Sequence, residues 1–394
     1  MHTKKLTRIR FKSFKNYLFI SALSTLVFGC HKSNVNENDL RDFKQINLVA
    51  NSEEYHPRTV DATLINAFGL AWSPSGIAWV NSVGGHVSEL YNAEGDTLRR
   101  VNIPSPTDSI GGFPCGIVFS SGKGFNLSTG GSAFLFTGFD GVLSGWNPAS
   151  GNNAERLRIP PGASYTGLAI GSSGGQNFIY GANFGQKKID VWDTTFKKVS
   201  MSFIDPTLPD SYSPYNIQAI GDWLFVMYAE LSTSGPTAGH GVAGAGKGFV
   251  SVFKTDGSFV KRFASGGSLN VPWGATLAPG SFLEDQDMDN SSDAKSSASE
   301  KNNNNDNSKN SRHDPKDPVI LIGNFGDGHI NVFTQDGIFL GQLQAHRQPI
   351  VIEGLWALSF PPGTASPSID PDRLYFTAGP SNESDGVFGY LIKQ

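Results

Sequence analysis

A unit of about fifty residues recurs along almost the whole chain. It is clearest at Phe68-Gly69-Leu70-Ala71-Trp72, Cys115-Gly116-Ile117-Val118-Phe119 and Thr166-Gly167-Leu168-Ala169-Ile170. Weaker copies stand at Tyr215-Asn216-Ile217, Trp273-Gly274-Ala275 and Trp356-Ala357-Leu358. Each copy opens short β-type runs separated by Gly, Asn and Asp. A period of this length marks stacked supersecondary units, and about four strands per unit marks a propeller. Six copies predict an all-β, six-bladed β-propeller.

The two ends of the chain bear on how the ring closes. Phe43-Lys44-Gln45-Ile46-Asn47-Leu48-Val49-Ala50 alternates like a strand but precedes the first copy. The last unit runs out at Val387-Phe388-Gly389-Tyr390-Leu391-Ile392, one strand short. The N-terminal strand is therefore expected to be the outer strand of the sixth blade, pairing with the last blade so that no sheet edge stays open. Within units, Asp256-Gly257 and Asp336-Gly337 are hairpin signals, because Gly supplies the positive φ that such a turn needs.

The first 29 residues read as a targeting segment. They hold Lys4, Lys5, Arg8, Arg10, Lys12 and Lys15 and no acid, followed by an apolar run over 17–28 that is too short for a comfortable membrane span. The run ends in Val27-Phe28-Gly29-Cys30, which resembles a bacterial lipobox. The expected organisation is a lipoprotein signal peptide over 1–29, a lipid on Cys30, a flexible tether over 30–42 and the propeller over 43–394. The Asn/Ser/Asp-rich stretch 283–317 is expected to be a disordered insertion between the first two strands of blade 5. The expected location is the bacterial cell envelope, as an outer-membrane lipoprotein facing the periplasm or the surface, with the membrane as partner through Cys30. Without residues 1–29 the net charge is −10, since six of the 31 basic residues are lost against 35 acids. Such a chain is a poor nucleic-acid binder. Cys115 lies in an apolar run and reads as a small buried hydrophobe.

Four segments carry a family resemblance. They are Val242-Ala243-Gly244-Ala245-Gly246-Lys247-Gly248-Phe249-Val250, Gly257-Ser258-Phe259-Val260-Lys261-Arg262, Asn324-Phe325-Gly326-Asp327-Gly328-His329-Ile330-Asn331-Val332-Phe333 and Tyr375-Phe376-Thr377-Ala378-Gly379-Pro380. The third is similar to the strand–turn–strand signature of NHL-type propellers. As a set they resemble a family of exported bacterial six-bladed propellers with no assigned activity. The resemblance implies the fold and supplies no catalytic residues.

Propeller loops between second and third strands, and between an outer strand and the next inner strand, share one face. Two rings of residues point there. The first precedes each Gly slot and includes Phe68, Tyr215, Trp273 and Trp356. An aromatic rim of this kind stacks on sugar rings, bases or apolar ligands, or else plugs the channel and packs the blades. The second ring ends the second strands and includes Asn81, Asn183 and Asn324, with Glu230 and Asp327 just beyond. Converging oxygens of this type suit a hard cation such as Ca2+, an arrangement similar to that of lactonase-like propellers, although Asn after a strand also closes turns. No cofactor is otherwise implied. The glycine and lysine spacing in 241–248 mimics a phosphate-binding loop, but a strand follows where the anion-binding helix belongs. The leading expectation is a recognition or scaffold module with a protein or glycan ligand at the channel mouth. The alternative is a metal-dependent hydrolase or lactonase on the same face.

Overall fold

The six sequence copies form six four-stranded antiparallel blades. The computed structural model describes residues 33–235, 238–284, 316–365 and 367–394. Blade 1 comprises Ala67–Trp72, Ala78–Ser82, Val87–Tyr91 and Thr97–Asn102; blade 2 comprises Pro114–Phe119, Phe134–Gly138, Leu143–Trp146 and Glu155–Arg158. Blade 3 runs through Tyr165–Ser173, Gln176–Asn183, Lys188–Asp193 and Lys198–Val199, and blade 4 through Tyr212–Ile220, Trp223–Glu230, Phe249–Lys254 and Phe259–Ser265. Blade 5 holds Pro272–Ala278, Val319–Asn324, Ile330–Phe333 and Phe339–Gln342. Blade 6 takes Leu355–Ser359, Leu374–Ala378 and Val387–Lys393, and borrows Phe43–Ala50 as its outer strand. Phe43 pairs with Lys393 and Ala50 with Val387, so the orphan first strand closes the ring as expected. Two small additions do not follow from the repeat. Thr59–Val60 pairs parallel to the edge of blade 6, and a hairpin of Asn126–Leu127 with Gly130–Gly131 precedes the second strand of blade 2.

The Gly slot marks a β-bulge in every blade. Pairing between the first two strands slips next to the slot each time. A bulge leaves a residue unpaired and re-aims its side chain. Of the six residues before the slots, Phe68, Cys115, Tyr215, Trp273 and Trp356 thereby join one buried cluster that plugs the ring. The slot itself lies where neighbouring inner strands nearly touch. A Cβ on Gly69 would stand 2.2 Å from the Cys115 carbonyl oxygen, and one on Gly274 2.6 Å from that of Trp356. Asn216 fills its slot differently: Nδ2 donates to the Trp273 carbonyl at 2.8 Å, and Oδ1 accepts the Ile217 N–H at 2.8 Å.

A second recurring device sits on the third strands, where Glu89, Ser144, Asp190, Ser251 and Asn331 are all buried polar residues. In four blades an outer-strand side chain answers them. Arg262 donates to Asp205 at 2.7 Å and to Ser251 at 3.2 Å. Arg100 binds Asp61 at 2.6 Å and Glu89 at 2.7 Å. Lys198 pairs with Asp190 at 2.6 Å, and Gln342 donates to Asn331 at 3.0 Å. Burying these groups would be costly without such partners.

The structure corrects the tether. Residues 34–42 were expected to be flexible, yet Glu37–Leu40 forms a 3-10 turn capped by the Asn36 side chain. Val35 and Leu40 are buried with Phe43, Phe282 and Leu343. Apolar burial and the Lys316–Asp39 ion pair at 3.0 Å dock this segment onto blades 5 and 6. Leu283, at the start of the expected insertion 283–317, belongs to the same core. Residues 285–315, the signal peptide and Cys30 lie outside the described residues.

Candidate functional site

Four loops converge over the plug. They are the second-to-third-strand loops of blades 4, 5 and 6 and the connection from blade 5 to blade 6, which share one face of the ring. Between them lies a pocket of 520 Å³ lined by His240, Phe325, Glu353, Asn382 and Glu383, with the backbone of Gly326, Gly354 and Gly379.

Its floor is built on the aromatic plug. Phe325 lies flat on Trp356, with centroids 4.0 Å apart and planes 18° from parallel. Trp356 stacks in turn on Phe68 at 3.8 Å, and Trp273 meets both rings edge-on. The predicted rim is thus brought together, but it is not a rim. Phe68, Tyr215, Trp273 and Trp356 are 0, 4, 4 and 1 % exposed. The bulges turn them inward onto the axis, and Phe325 is the aromatic residue that reaches the pocket. Burial also pushes the Cys115 thiol well up, so it stays protonated and packs as a hydrophobe.

The wall is set by a hydrogen-bonded chain. The Trp356 indole donates to Asn66 Oδ1 at 2.8 Å, and Asn66 Nδ2 donates to Glu383 Oε2 at 2.8 Å. Gly379 permits this, since a Cβ there would stand 2.2 Å from Asn66 Oδ1. Glu383 ends a left-handed turn: Ser381 and Asn382 have φ of 55° and 53°, and Glu383 of 67°. Left-handed backbone costs about 1–2 kcal/mol per non-glycine residue. The turn is held by Ser381 N–H donating to Glu353 Oε1 at 3.0 Å and by Glu383 N–H donating to the Gly379 carbonyl at 3.2 Å. Burial raises the Glu383 carboxyl above its usual range, while Asn66 and His240 pull it back. Strain of this kind persists where the surroundings fix it, and it accumulates at binding and catalytic sites.

The proposed cation ligands each make bonds within the fold. Asn81 donates to the carbonyls of Cys115 and Gly116 at 3.2 and 3.3 Å, tying blade 1 to blade 2. Asn183 caps the turn Phe184–Gln186 and donates to Asp190 at 2.9 Å. Glu230 pairs with Lys247 at 2.9 Å. Asn324 and Asp327 do meet, at 3.0 Å, but their bond shapes the loop of blade 5 together with Asn270. Among the described residues no three His, Cys, Asp or Glu side chains converge as metal ligands would.

Glu383, Glu353, His240 and Asn66 were not singled out from the sequence. His240 stands in the loop between the second and third strands of blade 4, a connection of the kind expected on this face. The others occupy connecting loops with no periodic context, so only the folded ring brings them together.

The comparisons with known proteins are of two kinds. The chain is 30% identical over 303 residues to the uncharacterized protein L690 of Acanthamoeba polyphaga mimivirus, covering 71% of this chain and 68% of that protein. It is 26% identical over 364 residues to uncharacterized protein R648 of the same virus, covering 89% and 80%. No family model matches. Among solved structures, a streptogramin B lyase aligns over 89% of this chain and 96% of its own, at 12% identity and a TM-score of 0.46. A gluconolactonase from Xanthomonas campestris aligns over 83% and 86%, at 15% identity and a TM-score of 0.45. The two mimivirus relatives are viral, whereas the sequence pattern resembles bacterial exported proteins.

Proposed function

This chain belongs to the family of mimivirus protein L690, and we propose that it is a recognition module whose ligand enters the pocket between Glu353, Glu383, His240 and Phe325. The observation that carries this reading is the convergence of four loops on one concavity above a closed aromatic plug. A plugged ring offers no through-channel, so a ligand on this face has to be held at the mouth. A concave site with an aromatic floor and a few fixed polar groups is the usual form of a small-ligand or side-chain pocket. No observation on the described residues favours the hydrolase reading over this one.

We further propose that the module is lipid-anchored through Cys30 in the cell envelope, with its pocket presented to a protein or glycan. Support for the anchor comes from the sequence of residues 1–30 alone. Metabolic labelling with a palmitate analogue tests it: label should be incorporated and should vanish in Cys30→Ala.

The pocket reading is tested by filling it. Ala243→Trp adds bulk at the pocket wall without entering the aromatic core. Calorimetric titration with agmatine, maltotriose and citrate samples cationic, neutral and anionic ligands. Saturable binding of at least one, abolished by Ala243→Trp with an unchanged melting temperature, is expected. Binding that ignores the substitution removes the pocket as the site.

A further inference from the structure

We infer that the pocket is made for a cationic group, a protonated amine or guanidinium, held between the carboxylates of Glu353 and Glu383 beside the Phe325 ring. This deepens the recognition reading and rests on it. Each carboxylate has one oxygen committed to the fold. Glu353 Oε1 accepts the Ser381 N–H at 3.0 Å, and Glu383 Oε2 accepts the Asn66 amide at 2.8 Å. The second oxygens, Glu353 Oε2 and Glu383 Oε1, have no protein partner among the described residues. Glu353 is exposed and Glu383 half-buried.

The other lining groups agree with a positive ligand. No Lys or Arg lines the pocket. The nearby Lys247, on the blade-4 loop, is paired with Glu230 at 2.9 Å. An anion would therefore meet two carboxylates with His240 as the one basic side chain in the lining. A neutral polyol needs donors as well as acceptors, and beyond the backbone the lining supplies only His240 and Asn382. Phe325 adds the remaining element. One face of its ring rests on Trp356, which leaves the other to offer, and a cation near an aromatic face is attracted by the ring quadrupole. A guanidinium or ammonium can satisfy two carboxylate oxygens and still lie against that ring.

The ligand's source is either a small free amine or a Lys or Arg side chain of a peptide, and the same titration separates them. The full chain is titrated with agmatine, with acetyl-Gly-Arg-Gly-amide, with maltotriose and with citrate, near neutral pH. The comparison proteins are Glu353→Gln/Glu383→Gln and Phe325→Ala, each checked for an unchanged circular dichroism spectrum. The expected result is binding of agmatine, the peptide or both. That binding should weaken about tenfold or more in the double variant, as for lost charge-assisted hydrogen bonds. It should weaken less in Phe325→Ala, and it should fall as salt is raised. Agmatine alone binding identifies a free amine; the peptide binding as well or better identifies a side chain. Cation binding that is indifferent to the double variant overturns the inference. Maltotriose or citrate binding in the pocket while the cations do not also overturns it, but leaves the recognition reading standing. Silence from all four probes counts against both.

Discussion

Glu383 and Asn66 meet at 2.8 Å across 317 positions of sequence, and the same Asn66 amide accepts the Trp356 indole N–H at 2.8 Å. One side chain therefore satisfies the plug of the ring and the wall of the pocket together. Asn66→Ala would leave a buried indole donor unpaired and Glu383 without its donor. A loss of about 2 kcal/mol in urea denaturation is expected. Asn66→Asp keeps the acceptor for Trp356 but sets a second carboxylate beside Glu383. Its deficit should shrink as the pH is lowered toward the carboxylate range. An Asn66→Ala protein as stable as the parent would show that water replaces both bonds.

The contrast between ring and pocket explains what could be read from the chain. The ring is written by a period. Gly69, Gly116, Gly167 and Gly274 recur because neighbouring inner strands leave no room for a Cβ at these positions, and the missing fourth strand of blade 6 points back to Phe43–Ala50. Burial of Phe68 and Trp356 was harder to see, since a residue before a slot reads as a rim until the bulge that turns it inward is known. The docking of Val35 and Leu40 is tertiary in origin, because their polar neighbours in 31–42 look like a linker. Glu353 and Glu383 belong to different loops that carry no repeat at all. The pairing of Leu355 with Ala378 inside blade 6 makes them neighbours.

The raised carboxyl of Glu383 gives a pH signature. Its folded value lies above the unfolded value of about 4.3, so the folded chain holds this proton more tightly. The contribution to stability is greatest below the unfolded value and declines as pH rises through the folded one. Glu383→Gln should remove that decline and melt above the parent at neutral pH. Parallel melting curves for the two proteins from acid to neutral pH would show that the carboxyl is not desolvated.

Asp205 behaves in the opposite sense. Its side chain is fully buried, and burial opposes its charge, but Arg262, Ser251 and Thr207 outweigh that and hold the carboxyl at about 2. The stabilisation is complete above the unfolded value of about 3.9 and is lost as pH falls through the folded one. Arg262→Ala leaves the carboxylate buried without its ion pair and should cost about 3 kcal/mol at neutral pH. It should also move the acid unfolding midpoint of the protein upward. Chemical denaturation between neutral and strongly acidic pH measures both, and an unmoved acid midpoint would mean that the Ser251 and Thr207 hydroxyls and the Thr207 N–H keep Asp205 ionised without the arginine.

The inner ring offers the sharpest test of the slot. A Cβ built on Gly167 would stand 2.0 Å from Asn216 Oδ1 and 3.0 Å from Asn216 Cα. Gly167→Ala should therefore be strongly destabilising, by an overpacking cost of about 1–3 kcal/mol. Asn216→Gly returns the slot of blade 4 to the residue found in most of the others, but it loses the bond to the Trp273 carbonyl and the one to Ile217 N–H. It should cost about 1 kcal/mol by itself. In the double variant the side-chain clash has no partner, and only the tight approach to Cα remains. The two effects should then be less than additive, with a coupling of about 1–2 kcal/mol in a double-mutant cycle read by urea denaturation. Additive losses would mean that Gly167 is required by the backbone of blade 4 and not by its side chain. Asn216 would then stand as a bridge between blades, unrelated to the space that Gly167 leaves.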